Sequence, residues 1–330
     1  MILILSSVNT EETTNDVVEW LEANKASYKR LNGYDLERLS DINIGFKNDE
    51  IEFELNSNHS LVKDVNIVWH RKWRDDDFYY LLNDNSIIHP YLRKQLGTHF
   101  ASEFFAATRG LQLAFENKKW LTKPAYFRSV TSKLHTLKIA KSLGIGIPNT
   151  LVTNNKDALE KFFESEKRII TKSISDMEVF HLKGESYALY TTEVSKEQIS
   201  KTPKHFFPSQ FQQLVDKQYE IRSFLLDGEF YSMAIFSQAR NSTLVDFRHY
   251  DFENPTRQIP YKLPQELELK LKELLKILDI NCGSVDLIRG LDGIYYFLEV
   301  NSNGQFGMVS LPCNYYLEEK VAKYLINEDY

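Results

Sequence analysis

The sequence predicts an α/β (α+β) fold of two or three packed units, and three observations carry that expectation. The opening is apolar over residues 1–5, polar over 6–14, and then places Val17, Val18, Trp20 and Leu21 at helical spacing, which reads as strand, loop and helix. In the middle of the chain Leu134, Leu137, Ile139, Ala140 and Leu143 define one face of a helix that Gly144 ends, and Pro148-Asn-Thr150 leads into a strand. The last third reads as hairpins: Asp227-Gly228 turns an extended segment back into residues 230–236, and Gly290-Leu-Asp-Gly293 joins residues 285–288 to 294–300. A chain of 330 residues, 42% hydrophobic and 13% aromatic, can bury a core of that extent.

The remaining elements follow in order. Residues 28–31, 51–55 and 65–69 read as strands and complete a small α/β domain with the opening helix. Residues 87–117 are helical, with Leu92, Leu96, Phe100, Phe104, Phe105, Leu111, Leu113 and Phe115 on a recurring face expected to pack as core. Trp120-Leu-Thr-Lys-Pro124 breaks that helix, so domains are expected at 1–121, 122–208 and 209–330. Residues 157–165 read as a helix, 168–172 as a strand, 179–194 as a hairpin, and 209–226 as two extended segments split at Asp216-Lys217. The leucine-rich helix over 266–278 reads as scaffold.

Composition removes several function classes. With 40 basic against 46 acidic residues the net charge is -6, which argues against a general nucleic-acid binder. Cys282 and Cys313 are the only cysteines and have no metal spacing, so neither a disulfide framework nor a zinc site is expected, and a reduced cytoplasm is the simplest home. The start lacks a basic flank and reads as a buried strand, and no apolar run approaches the ~20 residues that span a bilayer. There is no phosphate loop of the GxxxxGK[ST] type, no kinase signature, no GxSxG elbow and no histidine pair at metal spacing.

What remains is an acidic, amide-bearing stretch and a scatter of cations. Glu299 and Asn301 are two apart on a predicted strand and leave the same face, and Asp286 on the partner strand joins them if the hairpin register allows. Three such oxygens suit Mg²⁺, which takes the rest of its shell from water and phosphate. Alone, the spacing fits a solvated surface hairpin equally well. Lys133 stands at a helix N-terminus, a poor place for a cation unless an anion is near. Lys172 ends a strand, where a phosphate or plain solvent would suit it. Arg222, Arg240 and Arg248 complete the set, which together with the metal face matches what a nucleotide triphosphate needs during phosphoryl transfer. Trp69-His-Arg-Lys-Trp-Arg74 sets cations between indoles, and a solvated strand end with local ion pairs is its simpler reading.

In combination these residues resemble a family. Val68-Trp-His-Arg71, Ser132-Lys-Leu-His with Ile147-Pro-Asn-Thr-Leu-Val-Thr153, Ile170-Thr-Lys172, Phe211-Gln-Gln-Leu-Val215 with Glu220-Ile-Arg222, Val245-Asp-Phe-Arg248, Asp286, Leu298-Glu-Val-Asn301 and Gly304-Gln-Phe306 are similar to the ATP-grasp ligases that crosslink ribosomal peptides, the graspetide synthetases, including microviridin-type ligases and grasp-with-spasm maturases. The resemblance implies an ATP-grasp fold behind an N-terminal α/β pre-grasp domain. It implies ATP and Mg²⁺, with two ions, and it implies roles. Lys133 and Lys172 would hold phosphates, the backbone of Gln213, Leu214 and Val215 would meet adenine, and Glu220 would bind the ribose hydroxyls. Arg222 would stabilise the transferring phosphoryl group, and Asp286, Glu299 and Asn301 would ligate Mg²⁺. Asp246 and Arg248, with Arg240, would lie by the acceptor. Phe247 stands where the family has tryptophan and Ser302 where it has proline.

The activity so implied is ATP-dependent phosphorylation of Asp or Glu side chains of a precursor peptide, followed by displacement with Thr, Ser or Lys side chains to close ester or amide rings. A leader peptide would bind near Val179, Phe180, Tyr187 and Tyr190, and the enzyme would be a cytoplasmic homodimer. Two alternatives stay open: another ATP-grasp ligase acting on a protein or small-molecule carboxylate, and a non-catalytic nucleotide- or peptide-binding protein.

Overall fold

The computed structural model describes residues 1–7, 12–33, 41–47, 50–56, 61–73, 89–175, 179–182, 185–239 and 256–329. They divide into one unit of residues 1–124 with 316–330 and a second of residues 125–315.

The first unit contains β1 (Ile2–Ser6), α1 (Glu12–Ala23), β2 (Tyr28–Asn32), β3 (Ile42–Lys47), β4 (Glu50–Leu55), β5 (Ile67–His70), α2 (Pro90–Leu113) and β6 (Lys119–Leu121). Its main sheet is parallel with order β2-β1-β5-β6. Ile2, Leu3, Ile4 and Leu5 are all fully buried, as expected of a central parallel strand covered on both faces, and this is why the chain opens on an unbroken apolar run. In α2 the expected core face is only partly realised. Leu111 and Phe115 are buried, but Leu92 and Phe105 are each 48% exposed. Periodicity shows that a helix face is apolar, not that something covers it. The strands β3 and β6 had no clear sequence signal, being short or interrupted by glycine and lysine.

The second unit begins with α3 (Lys133–Ser142), β7 (Thr150–Asn155), α4 (Lys156–Glu166), β8 (Ile169–Lys172), β9 (Val179–Leu182), β10 (Glu185–Ala188), β11 (Thr192–Val194), α5 (Lys196–Lys201) and β12 (His205–Gln213). Gly144 terminates the first helix at φ +71, with Ile145 N–H bonded to the Ala140 carbonyl. The strands form an antiparallel sheet of order β11-β8-β12-β7. Phe211 and Ile169 face Leu159 and Ile199 on the helix side. Alternation sends Gln210, Gln212, Lys172 and Thr150 to the other face, since Gln210 lies opposite Lys172 and Gln212 opposite Thr150.

The unit continues with β13 (Lys217–Leu226), β14 (Glu229–Ile235), β15 (Gln258–Tyr261), α6 (Gln265–Ile277), β16 (Cys282–Gly290), β17 (Tyr295–Asn301) and α7 (Gly307–Cys313); α8 (Leu317–Glu328) returns to the first unit and lies against α1. The sheet order is β15-β14-β13-β16-β17. One face sends Ile221, Leu225, Val285, Leu287 and Phe297 into the unit's largest core, against Leu137 of α3 and Leu267, Leu271 and Leu274 of α6. The charged residues lie on the opposite face. Among the described residues no helix is long and apolar enough to cross a membrane.

Candidate active site

A single extra residue in β17 makes the acidic face. From the turn, Arg289 pairs with Tyr295, Ile288 with Tyr296 and Leu287 with Phe297, but Asp286 pairs with Glu299, so Leu298 is a bulge. Were Leu298 paired in a regular register instead, Glu299 would lie opposite Val285, which is fully buried on the core side. The bulge turns Glu299 and Asn301 onto the face of Asp286, and Asn301 lies opposite Ser284. Arg222 is Asp286's partner on the other flank, so it shares that face too.

Each carboxylate holds a cation. Arg222 Nη1 donates to both Asp286 oxygens, at 2.9 and 2.7 Å, with the side chains 10% and 16% exposed. Arg222 Nε is buried without a partner. Lys133 Nζ donates to Glu299 Oε2 at 3.0 Å. Lys133 is the first residue of α3, whose N-cap Ser132 makes no side-chain capping bond. The anion that its position required is therefore Glu299.

The loop after β17 is close-fitting. Asn303 N–H bonds Asn301 Oδ1 at 3.0 Å and Gly304 N–H bonds the Asn301 carbonyl at 3.0 Å. A Cβ on Gly304 would lie 2.4 Å from the backbone nitrogen of Ser284, so only glycine allows this approach. Ser302 Oγ accepts from Arg128 Nη2 at 3.0 Å. Burial draws the Arg128 guanidinium below the usual arginine value.

Two carboxylates that are direct cross-strand partners, with a carboxamide two residues on, are hard oxygen donors that fit one divalent cation. No group of three or more His, Cys, Asp or Glu side chains suited to a metal occurs among the described residues, so Asn301 would be the third protein ligand of any such ion.

Glu220 is two residues before Arg222 on the same strand face. Its Oε1 accepts from Lys217 Nζ at 2.6 Å and from Ser237 Oγ at 2.7 Å, all three residues being buried. Lys217 and Glu220 are three apart, which on a regular strand sets them on opposite faces. The register shift between Lys217 and Tyr219 restores them to one face. Residues 214–216 connect β12 to β13 and so join the two sheets. Gln213 and Leu214 N–H groups bond Asn149 O at 2.9 Å and Arg168 O at 3.0 Å, while Val215 makes no backbone hydrogen bond among the described residues. Lys172 lies at the end of β8 on the polar sheet face. Arg240, Asp246 and Arg248 lie outside the described residues, as do the side chains of Val179 and Phe180 on β9. Tyr187 and Tyr190 are 51% and 36% exposed, and the Tyr187 hydroxyl donates to the Glu185 carboxylate.

Against solved structures the match runs from end to end. A RiPP-associated ATP-grasp ligase of Chryseobacterium gregarium, in complex with ADP and a leader and core peptide, is 22% identical, with 99% of this chain and 96% of that chain covered at a TM-score of 0.84. This chain has the ATP-grasp fold. The macrocyclase MdnC of Microcystis aeruginosa, bound with its precursor peptide MdnA, is 25% identical over 99% of both chains at a TM-score of 0.79. The ATP-grasp ligase PsnB, complexed with minimal precursor, Mg and ADP, is 15% identical over 100% of this chain and 97% of that chain, also at 0.79. No protein-family model matches the sequence, and no curated protein matches it. Three residues of this ATP-grasp chain had no role assigned from sequence: Lys217, Gln212 and Arg128. The first was hidden by the bulge that changes its face, and the other two lack any pattern that separates them from ordinary polar residues.

Proposed function

We propose that the protein is an ATP-dependent peptide ligase that closes side-chain ester or amide rings in a ribosomally made precursor peptide. The observation that carries this reading is the match over both units, end to end, to ligases whose structures hold a precursor peptide, two of them with ADP as well. The acidic face supplies what such chemistry needs. Asp286, Glu299 and Asn301 would hold Mg²⁺, two ions in the full complex, and the metal would neutralise phosphate charge. Lys133 and Arg222, now on those carboxylates, would be the cations nearest the transferring phosphoryl group, and Lys172 would hold phosphate from the other sheet. Residues 213–215 would line the base, with Glu220 on the ribose.

The first step joins a peptide carboxylate oxygen to the γ-phosphorus with loss of ADP. The carboxylate is ionised near neutral pH and needs no base. In the second step a hydroxyl or amine attacks the acyl carbon and phosphate leaves, so each ring costs one ATP and removes one water from the peptide. Positioning and charge neutralisation carry both steps. Arg240, Asp246 and Arg248 would serve the acceptor, Asp246 taking its proton. The β9–β10 hairpin, with Val179, Phe180, Tyr187 and Tyr190, would bind the leader, and the working enzyme would be a cytoplasmic homodimer.

Mass spectrometry of a peptide encoded beside the gene, after incubation with the protein, ATP and Mg²⁺, tests the reading, with Glu299→Ala as control. Loss of whole water masses with the wild type alone supports it, and base lability assigns esters. An unchanged peptide, with ADP formed on some other carboxylate acceptor, transfers the protein to the wider class of ATP-grasp ligases.

A further inference from the structure

Arg128 follows a short 3₁₀ turn over Ala125–Phe127 and stands in the segment that leads into α3. That segment runs along the end of β17, since Lys133 donates to Glu299 and Arg128 Nη2 donates to Ser302 Oγ, on the residue after Asn301. The two cations are satisfied differently. Lys133 holds a carboxylate, as do Arg222 on Asp286 and Lys217 on Glu220. Arg128 holds a neutral hydroxyl. Its Nε is buried with no hydrogen-bond partner, and Asp279 acts on it through charge without a hydrogen bond. A guanidinium carries several N–H donors and a full charge, so a single neutral partner leaves most of the cost of its partial burial uncompensated.

The position says which anion would complete it. Arg128 is only partly buried, and Nη1 makes no hydrogen bond and is not closed in, so the outer edge of the fork is open to a ligand. Through Ser302 that edge is tied to the end of β17, the strand whose Glu299 pairs with Asp286. Nucleotide phosphates bring Mg²⁺ with them and would meet Lys133 and Lys172. A carboxylate substrate brings no counter-ion, and it must approach two protein carboxylates and the phosphates, which all repel it. A planar fork with outward N–H groups matches a carboxylate in shape as well as in charge.

We propose that Arg128 is a substrate-binding residue that takes an acidic side chain of the precursor peptide on its outer N–H groups, while the bond to Ser302 fixes its orientation. The inference rests on the peptide-ligase reading above and adds to it a residue that recognises the carboxylate of the substrate. The contact is one of binding alone. No proton moves in it, because the guanidinium stays charged and the peptide carboxylate is ionised near neutral pH. A peptide with an amide in place of the carboxylate leaves the Arg128 charge uncompensated and is bound less tightly.

Calorimetric titration of the protein loaded with ADP and Mg²⁺ tests the assignment without turnover. The probes are the peptide encoded beside the gene and the same peptide with Gln for Glu and Asn for Asp throughout its C-terminal half. The wild type should prefer the acidic peptide, and in Arg128→Met that preference should shrink about tenfold while ADP affinity is unchanged. Arg128→Gln, which keeps a donor for Ser302 but loses the charge, should behave as Arg128→Met does, and it serves in its place if that variant does not fold. Recovery of the full preference in Arg128→Gln would make Arg128 a strut for the 301–306 loop and overturn the inference. Equal binding of the two peptides to the wild type, or an undiminished preference in Arg128→Met, would overturn it as well and leave the ligase reading intact. A fall in ADP affinity with the peptide preference intact would assign Arg128 to a phosphate instead. Failure of the loaded wild type to bind the acidic peptide at all would overturn the peptide reading and this inference together.

Discussion

Lys133 Nζ lies 3.0 Å from Glu299 Oε2 although 166 residues separate them in the chain. The pair joins the first residue of α3 to the end of β17, so it fixes the helix that would approach phosphate to the strand that would hold metal. Both side chains are about a third exposed, and such pairs contribute only ~0–1 kcal/mol to stability. Its importance is therefore expected in turnover. Lys133→Met should lower kcat/KM by roughly 10²-fold or more, as loss of one preorganised charge does, while the denaturation midpoint moves little. A large loss of stability with unchanged turnover of the folded fraction would assign the pair to scaffold.

The Leu298 bulge gives a second prediction. Deleting Leu298 should give a regular ladder in which Glu299 directly follows Phe297 and still lies opposite Asp286, so Glu299 and Asn301 stay on that face. The deletion variant should therefore keep Mg²⁺-dependent nucleotide binding, as should Leu298→Ala. Calorimetric titration of both variants checks this, and loss of binding in the deletion variant alone would show that the bulge itself aims the Glu299 carboxylate.

These two sites also mark how far the sequence could be read. The α/β class, the alternation of elements in residues 133–172 and the 227–228 and 290–293 turns were legible because each rests on local periodicity or turn chemistry. The hairpin was legible, but not its register: Asp286, Glu299 and Asn301 share a face only because Leu298 bulges out of the ladder and does not pair with Asp286, and a bulge leaves no periodic trace. The same limit hid Lys217 behind Glu220. Lys133 was legible as an anomaly, a cation at a helix start, and the structure supplies the anion. The long helix α2 misled in the other direction, since Leu92 and Phe105 obey the helical period and are still exposed.

Gly304 gives a third prediction. The Cβ of an alanine would meet Ser284 backbone nitrogen and Oγ at 2.4 Å, and backbone cannot yield cheaply. Gly304→Ala should lift the 301–306 loop away from β16, costing ~1–3 kcal/mol of stability as overpacking does, and should disturb the carboxamide of Asn301, which that loop holds. Weaker Mg²⁺ dependence of nucleotide binding is the expected signature. An unchanged metal response in a destabilised variant would mean that Asn301 is not a ligand.

The Arg222–Asp286 pair supports a stability prediction of opposite kind to that for Lys133. With side chains 10% and 16% exposed, removing one partner leaves a buried charge alone, which costs ~3–5 kcal/mol. Asp286→Ala should therefore destabilise strongly, and Arg222→Met combined with Asp286→Leu should recover much of the loss without recovering activity. Equilibrium urea unfolding of the single and double variants checks this, and additive losses would show that the two charges do not depend on each other.

Arg168 ties the inter-sheet connector to the sheet edge, and its partner Glu193 gives the pH dependence. Arg168 Nε and Nη2 donate to the Glu193 carboxylate at 2.8 and 3.0 Å, Nη1 reaches Asp216 at 2.9 Å, and the Arg168 carbonyl holds Leu214 N–H. The hydrogen bonds from Arg168 draw the Glu193 carboxyl below its usual value. Because the folded value lies below the unfolded one, the linked stability is complete above the unfolded value of ~4.3 and is lost as pH falls through the folded value. Both side chains are well exposed, so the amount is small, a few tenths of a kcal/mol. The sharper measurement is the carboxyl resonance of Glu193 by NMR. Its midpoint should lie below ~4.3 in the wild type and return there in Arg168→Met. In the same variant, ADP affinity should fall because the connector is no longer held on this side, whereas unchanged ADP affinity would separate residues 214–216 from the base.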